Sequence, residues 1–156
     1  MVDVEVDYSE EVQVQVPPQA AFALLADVYR SGLHFPGVAD LAPVDGDGRW
    51  RWSMAERGFG PVKLKAVYDA VYTVSPDVQR VDWKPAPGPN DMESFGSWEI
   101  RGDEQGPTIL VFRARTIAHI PAPRMMAKMV DAFVREELIG LKRKYVAAIA
   151  STLQTA

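Results

Sequence analysis

Polar and apolar residues alternate along the first sixteen positions of the chain. The apolar series runs from Val4 to Val16, and the polar series begins at Asp3. A period of two places successive side chains on opposite faces, so this pattern predicts a long antiparallel strand with one buried face. Glu10 interrupts the apolar series and marks either a bend or a carboxylate that points inward. Pro17-Pro18 ends the strand.

The same alternation recurs in short segments between residues 38 and 116. Glycine, proline and aspartate separate the segments, and such residues form the turns between strands. The pattern therefore predicts about six further strands. The turns are predicted at Asp45–Gly48, Gly58–Pro61, Pro85–Asn90 and Asp103–Pro107. Large side chains occupy the apolar phase of these strands: Trp50, Trp52, Met54, Tyr68, Tyr72, Trp83, Trp98 and Phe112.

Helical spacing follows the first strand and returns at the end of the chain. Phe22, Leu25 and Tyr29 share one face of a helix predicted from Gln19 to Tyr29, and Ser31-Gly32 ends it. A further short turn is predicted directly after this break.

The C-terminal part of the chain predicts one long helix. Apolar residues recur there at steps of three and four, from Met126 to Leu153. This spacing indicates a helix from roughly Pro123 to Leu153, because proline is tolerated in a first turn. About thirty residues give a length of about 45 Å. Charged residues fall mostly off the apolar stripe: Lys128, Asp131, Arg135, Lys142 and Arg143.

The order of these elements indicates an α+β fold. One strand, one or two short helices, about six strands and a long helix fit a curved antiparallel sheet of about seven strands wrapped around the C-terminal helix. We expect a single domain over residues 1–156. The functional site is predicted to lie between the sheet and the long helix.

Composition narrows the classes of partner. The sequence is 47% apolar and 24% charged, and its formal charge of −4 gives no basic surface for nucleic acid. It contains no cysteine, so disulfides and thiolate chemistry are excluded. The N-terminus does not look like a secretory signal, and no run of about 18 apolar residues occurs. We therefore expect a cytoplasmic location.

Several stretches of this sequence resemble a known superfamily. Val14 to Asp27 reads as an apolar strand end, prolines, small residues and an amphipathic helix, and Phe35 to Val38 reads as the turn after it. Pro121, Pro123 and the segment from Glu136 to Lys142 fit the closing helix. Together they resemble the START/Bet v 1-like superfamily, also called SRPBCC, which contains polyketide cyclase/dehydrase and lipid-transport proteins.

The resemblance implies the helix-grip fold over essentially the whole chain. The branch named after carbon monoxide dehydrogenase and the coenzyme-Q-binding branch look most similar to this sequence. The shared motifs are structural, and the scaffold carries lipid carriers, quinone-binding proteins, cyclases and lyases, so it leaves the function open. The sequence matches no catalytic signature of an enzymatic branch.

The resemblance also implies a ligand cavity between sheet and helix. We expect aromatic residues of the strands to line it, together with methionines, which adapt to varied apolar shapes. Its entrance is predicted between the Leu33–Val38 loop, the Pro85–Asp91 loop and the methionines at positions 125, 126 and 129. The predicted ligand-binding residues are His34, Phe35, Trp52, Met54, Tyr68, Tyr72, Trp83, Trp98, Met126, Met129 and Phe133.

Four strand arginines allow two interpretations. If the apolar phase is right, they point to solvent on the convex face of the sheet. If it is reversed, they place guanidinium groups in the cavity as an acid-binding clamp. These residues are Arg49, Arg51, Arg113 and Arg115.

Three functions remain open at this level. The first is binding or transport of a lipid, quinone or polyketide-like molecule, with no cofactor and no metal. The second is a cyclase/aromatase-type enzyme that uses a tyrosine, His34 or Glu56 for proton transfer. The third is an assembly or accessory protein that docks a partner. Mainly apolar inward positions favour binding over catalysis. We expect a monomer or weak homodimer that contacts a membrane surface transiently.

Overall fold

The chain folds as a strand, two short helices, a series of strands and a long helix. A computed structural model describes residues 1–59, 62–103 and 105–154, without the side chain of residue 59. The predicted turns at Gly58–Pro61 and Asp103–Pro107 lie partly outside these residues. The strands are β1 (Val2–Val14), β2 (Val38–Val44), β3 (Arg49–Met54), β4 (Arg57–Phe59), β5 (Val62–Leu64), β6 (Val67–Ser75), β7 (Arg80–Asn90), β8 (Met92–Arg101) and β9 (Thr108–Ile120). The α-helices are α1 (Pro18–Ala26), α2 (Val28–Gly32) and α3 (Ala127–Gln154).

Seven of the strands form one antiparallel sheet. Their order is β1-β9-β8-β7-β6-β3-β2, and β4 pairs with β5 in a separate hairpin. The long alternating strand predicted at the N-terminus pairs with β9 along its whole length, from Val2 opposite Ile120 to Val14 opposite Thr108. The predicted helix-grip architecture is confirmed.

The predicted first helix is divided in two at Asp27. The side chain of Asp27 accepts a hydrogen bond of 3.0 Å from the backbone N–H of Arg30, which caps the start of α2. Gly32 ends α2 where a Cβ atom would lie only 2.5 Å from Leu41 and 2.9 Å from Trp52. The glycine thus lets α2 approach the side chains of β2 and β3.

The helix α3 buries the stripe that its spacing predicts, after a 3₁₀ turn at Arg124–Met126. Its first half packs with Val4, Val6 and Ile120, and its second half packs with Val14, α1 and Trp98. The buried stripe consists of Val130, Val134, Leu138, Leu141, Lys142, Tyr145, Val146, Ile149, Ala150 and Leu153. No helix in the described part of the chain is long and apolar enough to cross a membrane.

The proline-rich segment predicted as a loop is part of β7. Pro85 pairs with Ala70 and Asn90 pairs with Tyr68, so the register shifts between these pairs. Proline is tolerated in a strand at a bulge, where its missing N–H is not required. Gly88 has a φ of 133°, a backbone conformation that favours glycine. The prediction of a loop here was wrong because sheet pairing outweighed the local turn signal.

The strand arginines lie outside the cavity, as the apolar phase requires. Arg113 and Arg115 are exposed on β9, and Arg115 pairs with Glu5 of β1. Arg49 and Arg51 of β3 both bind Asp69 of β6, at 2.7 Å and 2.8 Å. The alternative of an acid-binding clamp inside the cavity does not apply to these side chains.

His119 joins three strands on the outer face of the sheet. Its Nδ1 lies 2.8 Å from Asp3 of β1, and its Nε2 lies 2.7 Å from Glu93 of β8. The hydrogen bond to Asp3 raises the pKa of His119 above its ordinary value, burial opposes this, and Glu93 adds to it. A base with a raised pKa in the folded state stabilises that state most when it is protonated.

Replacing His119 with threonine should therefore destabilise the protein more at about pH 5.5 than at about pH 9. The stabilising contribution of the imidazolium is complete below its unfolded-state pKa and is lost as the pH rises through the raised folded-state pKa. Urea unfolding at both pH values measures the difference. Asp3→Asn should show the same pH dependence. An equal loss of stability at both pH values would contradict the role of the charge.

Candidate functional site

A cavity of about 500 Å³ lies between the sheet and α3. It exists because α3 packs mainly against β1, at one edge of the sheet. The concave faces of the middle strands are therefore left partly uncovered, and α1 and α2 close over them. The strand residues that line the cavity are Trp52, Met54, Leu64, Ala66, Tyr68, Tyr72, Val81, Trp83, Met92, Ser94, Trp98, Phe112, Ala114 and Thr116.

Aromatic rings form most of the cavity wall. Trp52 stacks on Tyr68 with the ring centres 6.0 Å apart and the planes 3° from parallel. Phe35 meets Trp52 edge-on at 6.2 Å and also contacts Tyr145 of α3 at 5.4 Å. Rings in mutual contact have few rotamer alternatives, so this wall keeps its shape without a ligand.

The polar tips of these aromatic residues are paired within the wall. Trp52 Nε1 donates to the Tyr72 hydroxyl at 3.1 Å, and Trp98 Nε1 donates to the Tyr145 hydroxyl at 3.2 Å. Burial raises the pKa of Tyr145 to about 12 and also raises the pKa of Tyr68 and Tyr72. The three phenols stay protonated at neutral pH, so they can donate hydrogen bonds to a ligand but cannot act as ready bases.

Lys142 is the charged residue in the buried wall. Its side chain is 4% exposed, it lines the cavity, and its Nζ donates to the Thr116 hydroxyl on β9. Burial lowers the pKa of Lys142 to about 8, and the distant charge of Asp7 opposes this only in part. At pH 7 the amine is still mostly protonated, which places one cation in an otherwise apolar cavity.

The cavity opens between two loops and α3. The lining residues that are exposed lie after α2 and between β3 and β4, namely Gly37, Ala55, Glu56 and Gly58. On the same side, Arg57 of β4 donates to Glu137 of α3 at 2.7 Å. This ion pair joins the β4–β5 hairpin to the long helix at the edge of the opening.

Comparison with known proteins identifies the fold but not a close relative. No protein-family model matches the sequence, and no curated protein matches it. Solved structures do match. A START superfamily protein from Mycobacterium smegmatis superposes with a TM-score of 0.61 at 13% identity, over 96% of this chain and 97% of that one. The chain has the START-like helix-grip fold.

Other solved START-like structures include enzymes. The Zhui aromatase/cyclase from Streptomyces sp. R1128 matches with a TM-score of 0.59 at 16% identity, over 92% of this chain and 93% of that one. Norcoclaurine synthase from Thalictrum flavum matches with a TM-score of 0.59 at 12% identity, over 98% of this chain and 96% of that one. At such identities the likeness concerns the fold alone.

Most of the residues predicted to bind a ligand are brought together in the START-like cavity. Those found in its wall are Phe35, Trp52, Met54, Tyr68, Tyr72, Trp83 and Trp98. Period-two alternation was sufficient to place them, because a side chain in the apolar phase of a curved sheet faces its concave side. Whether they contact a ligand remains a prediction.

His34 and the residues from the start of α3 are not part of the cavity wall. Both ring nitrogens of His34 are engaged elsewhere, with the Arg30 carbonyl and the Thr152 hydroxyl, each at 2.8 Å. Met126 packs against the lower core instead. Met129 and Phe133 are 44% and 47% exposed, since they lie beside the buried stripe of α3 and not on it.

The predicted entrance is also only partly matched by the structure. Phe35, Pro36 and Gly37 of the Leu33–Val38 loop do border the cavity. The Pro85–Asp91 segment does not, because it continues β7 and lies close to Arg49 on the outer face. Met125 is 91% exposed. The third side of the opening is formed by Glu137, further along α3.

Lys142 was missed as a site residue, although the sequence contained a signal for it. It lies four residues after Leu138 and three before Tyr145, which places it on the buried stripe. Its charge alone had assigned it to the solvent side. A lysine that shares the phase of a buried helical stripe is a reason to look for a cavity beneath it.

Proposed function

We propose that this protein binds a hydrophobic small molecule in the cavity between its sheet and α3. The observation that carries the proposal is the cavity itself, with a volume of about 500 Å³ and a wall formed largely by aromatic and aliphatic side chains. Ligand sites in proteins commonly have about 300–1,000 Å³ and just such a wall, with a few polar groups that orient the ligand.

The wall supports a ligand with a flat, apolar body. The stacked pair of Trp52 and Tyr68 and the ring of Phe35 present faces and edges on which a quinone, an aromatic polyketide or a lipid chain could pack. Burial of apolar area would supply about 25 cal/mol per Å², from which the cost of association is subtracted. The tyrosine hydroxyls and Ser94 provide hydrogen bonds for polar substituents.

A cyclase-type enzyme is the second candidate, because an aromatase/cyclase of known structure shares the fold over nearly the whole chain. Its proton-transfer groups would differ from those that the sequence suggested. His34 does not line the cavity, and Glu56 is exposed at the opening. The buried tyrosines hold their protons, so general-base catalysis would fall to the unprotonated fraction of Lys142. The scarcity of bases favours binding.

A bulky side chain placed inside the cavity tests the proposal. Ala114 lies on β9 with its methyl group in the cavity wall, and Ala114→Phe should reduce the affinity for the neutral dye Nile red by about tenfold or more, or about 1.4 kcal/mol. Fluorescence titration measures this, and circular dichroism checks the fold of each variant.

Two substitutions outside the cavity serve as controls for Ala114→Phe. Ala147→Phe adds the same ring to an exposed position of α3, and Met129→Trp adds bulk where the sequence had suggested the entrance. Both should bind the dye like the wild type. Equal affinities in wild type and well-folded Ala114→Phe would show that the dye does not occupy this cavity and would overturn the proposal.

A further inference from the structure

The buried amine of Lys142 lacks an anionic partner. In the described part of the chain its one hydrogen-bond partner is the neutral hydroxyl of Thr116. Glu137 lies one turn earlier on α3, but its carboxylate binds Arg57. Asp7 is exposed on β1 and acts on Lys142 only through its electric field.

An ammonium group in such surroundings is costly. Taking a charge out of water is compensated only when an opposite charge and hydrogen bonds replace the lost solvent. Here the side chain is 4% exposed and faces the cavity. The compensating anion is therefore expected from whatever fills the cavity.

Hydroxyl groups extend the polar surface next to this amine. Thr116 of β9 lies directly opposite Ser94 of β8 in the sheet register. The Ser94 hydroxyl accepts a hydrogen bond of 3.2 Å from Trp83 Nε1, which leaves its own proton available for a ligand. Lys142, Thr116 and Ser94 all line the cavity. They form a polar floor beneath the aromatic wall.

We infer that the ligand of this cavity is a hydrophobic monocarboxylic acid, whose carboxylate pairs with Lys142 and accepts hydrogen bonds from Thr116 and Ser94. The inference rests on the proposed binding function and specifies its ligand class. The apolar body of the acid would extend from this polar floor along Trp52 and Tyr68 toward the opening. A bound carboxylate would supply the missing counter-charge and accept hydrogen bonds with both of its oxygens.

The charge of the site favours a single carboxylate over a phosphate. Among the described residues of the cavity wall, the cations are Lys142 and Arg57. Arg57 is neutralised by Glu137 at the opening. One free cation in this described wall matches one negative charge, whereas a phosphate monoester carries close to two at neutral pH.

A matched pair of ligands tests the inference. Dodecanoic acid and 1-dodecanol have the same chain and differ in the head group, and each can displace Nile red from the cavity. Wild-type protein should bind the acid about tenfold or more tightly than the alcohol, since a buried charge-assisted pair contributes more than a neutral hydrogen bond. In Lys142→Met the ratio of the two affinities should fall to near one.

Lys144→Met is the matched control, because Lys144 is exposed on the same helix two residues away. It should keep the wild-type ratio. Lys142→Gln provides a second variant if Lys142→Met does not fold. A wild-type ratio near one, or a ratio that survives the loss of Lys142, would overturn the inference. If neither ligand displaces the dye and the dye itself does not bind, the proposed binding function fails instead.

Discussion

Replacing both Arg49 and Arg51 with methionine is expected to lower the free energy of unfolding by about 3–5 kcal/mol at neutral pH. The two guanidinium groups enclose the carboxylate of Asp69, whose side chain is completely buried. Arg49 bonds Asp69 through Nε and Nη2, at 3.0 Å and 2.7 Å. Without both arginines this carboxylate would remain buried and unpaired, which is the costly way to break such a network.

The pH dependence of this loss follows from the same contacts. Arg51 is the first cause that lowers the pKa of Asp69, with Arg49 adding to it and burial opposing both. A carboxyl with a lowered pKa stabilises the folded state above its unfolded-state pKa, and this stabilisation is lost as the pH falls through the folded-state value. In the double variant only burial remains, and protonation then relieves the cost. The gap between wild type and variant should therefore shrink toward about pH 4.

A second arginine pair on the outer face of the sheet supplies the control. Arg101 and Arg113 both approach Glu99, whose side chain is 26% exposed, at 2.9 Å and 3.6 Å. Replacing both with methionine should cost about 1 kcal/mol or less, because solvent screens the carboxylate. Urea unfolding of the two double variants measures the contrast. Similar losses in both would mean that burial of Asp69 does not set the effect.

The fold was predictable because its longest elements have the clearest periods. The alternation of β1 continues over its whole length against β9, and the buried stripe of α3 continues from Val130 to Leu153. Local signals misled where pairing or capping decides the outcome. The prolines of the Pro85–Asn90 segment indicated a loop, but β6 accommodates them through a shift in register. Asp27 divides the first helix by capping the second.

The candidate site was predictable on the sheet side and poorly predictable on the helix side. On a strand, one step changes the face completely, so the phase of Trp52, Tyr68 and Trp98 is unambiguous. On a helix, one step turns the side chain by about 100°, and the edge of the buried stripe is not sharp. Met129 and Phe133 lie just beyond that edge, whereas Lys142 lies inside it.

The cavity explains why a lysine on this stripe was difficult to interpret. A sequence pattern distinguishes inside from outside, but a cavity wall is inside the fold and still bordered by open space. The position of Lys142 also separates stability from function. A buried, unpaired cation lowers the stability of the protein without its ligand, and residues of that kind are characteristic of binding and catalytic sites.

Removing this cation should therefore stabilise the ligand-free protein. Burial lowers the pKa of Lys142 from 10.5 to about 8. The unfolded state binds the proton more tightly than the folded state, so the charge costs about 3 kcal/mol at pH 7. Lys142→Met should raise the free energy of unfolding at pH 7 by about 2–3 kcal/mol, allowing for the lost hydrogen bond to Thr116. Urea unfolding in the absence of ligand measures this gain.

The gain should disappear as the pH rises. Between about pH 8 and pH 10.5 the unfolded state still holds a proton that the folded state has released, so wild-type stability increases from this group alone. By about pH 10 the advantage of Lys142→Met should fall below about 1 kcal/mol. Lys144→Met, on the exposed face of the same helix, should differ little from wild type at either pH. A Lys142→Met variant that is less stable than wild type at pH 7 would mean that the amine is already compensated within the folded chain.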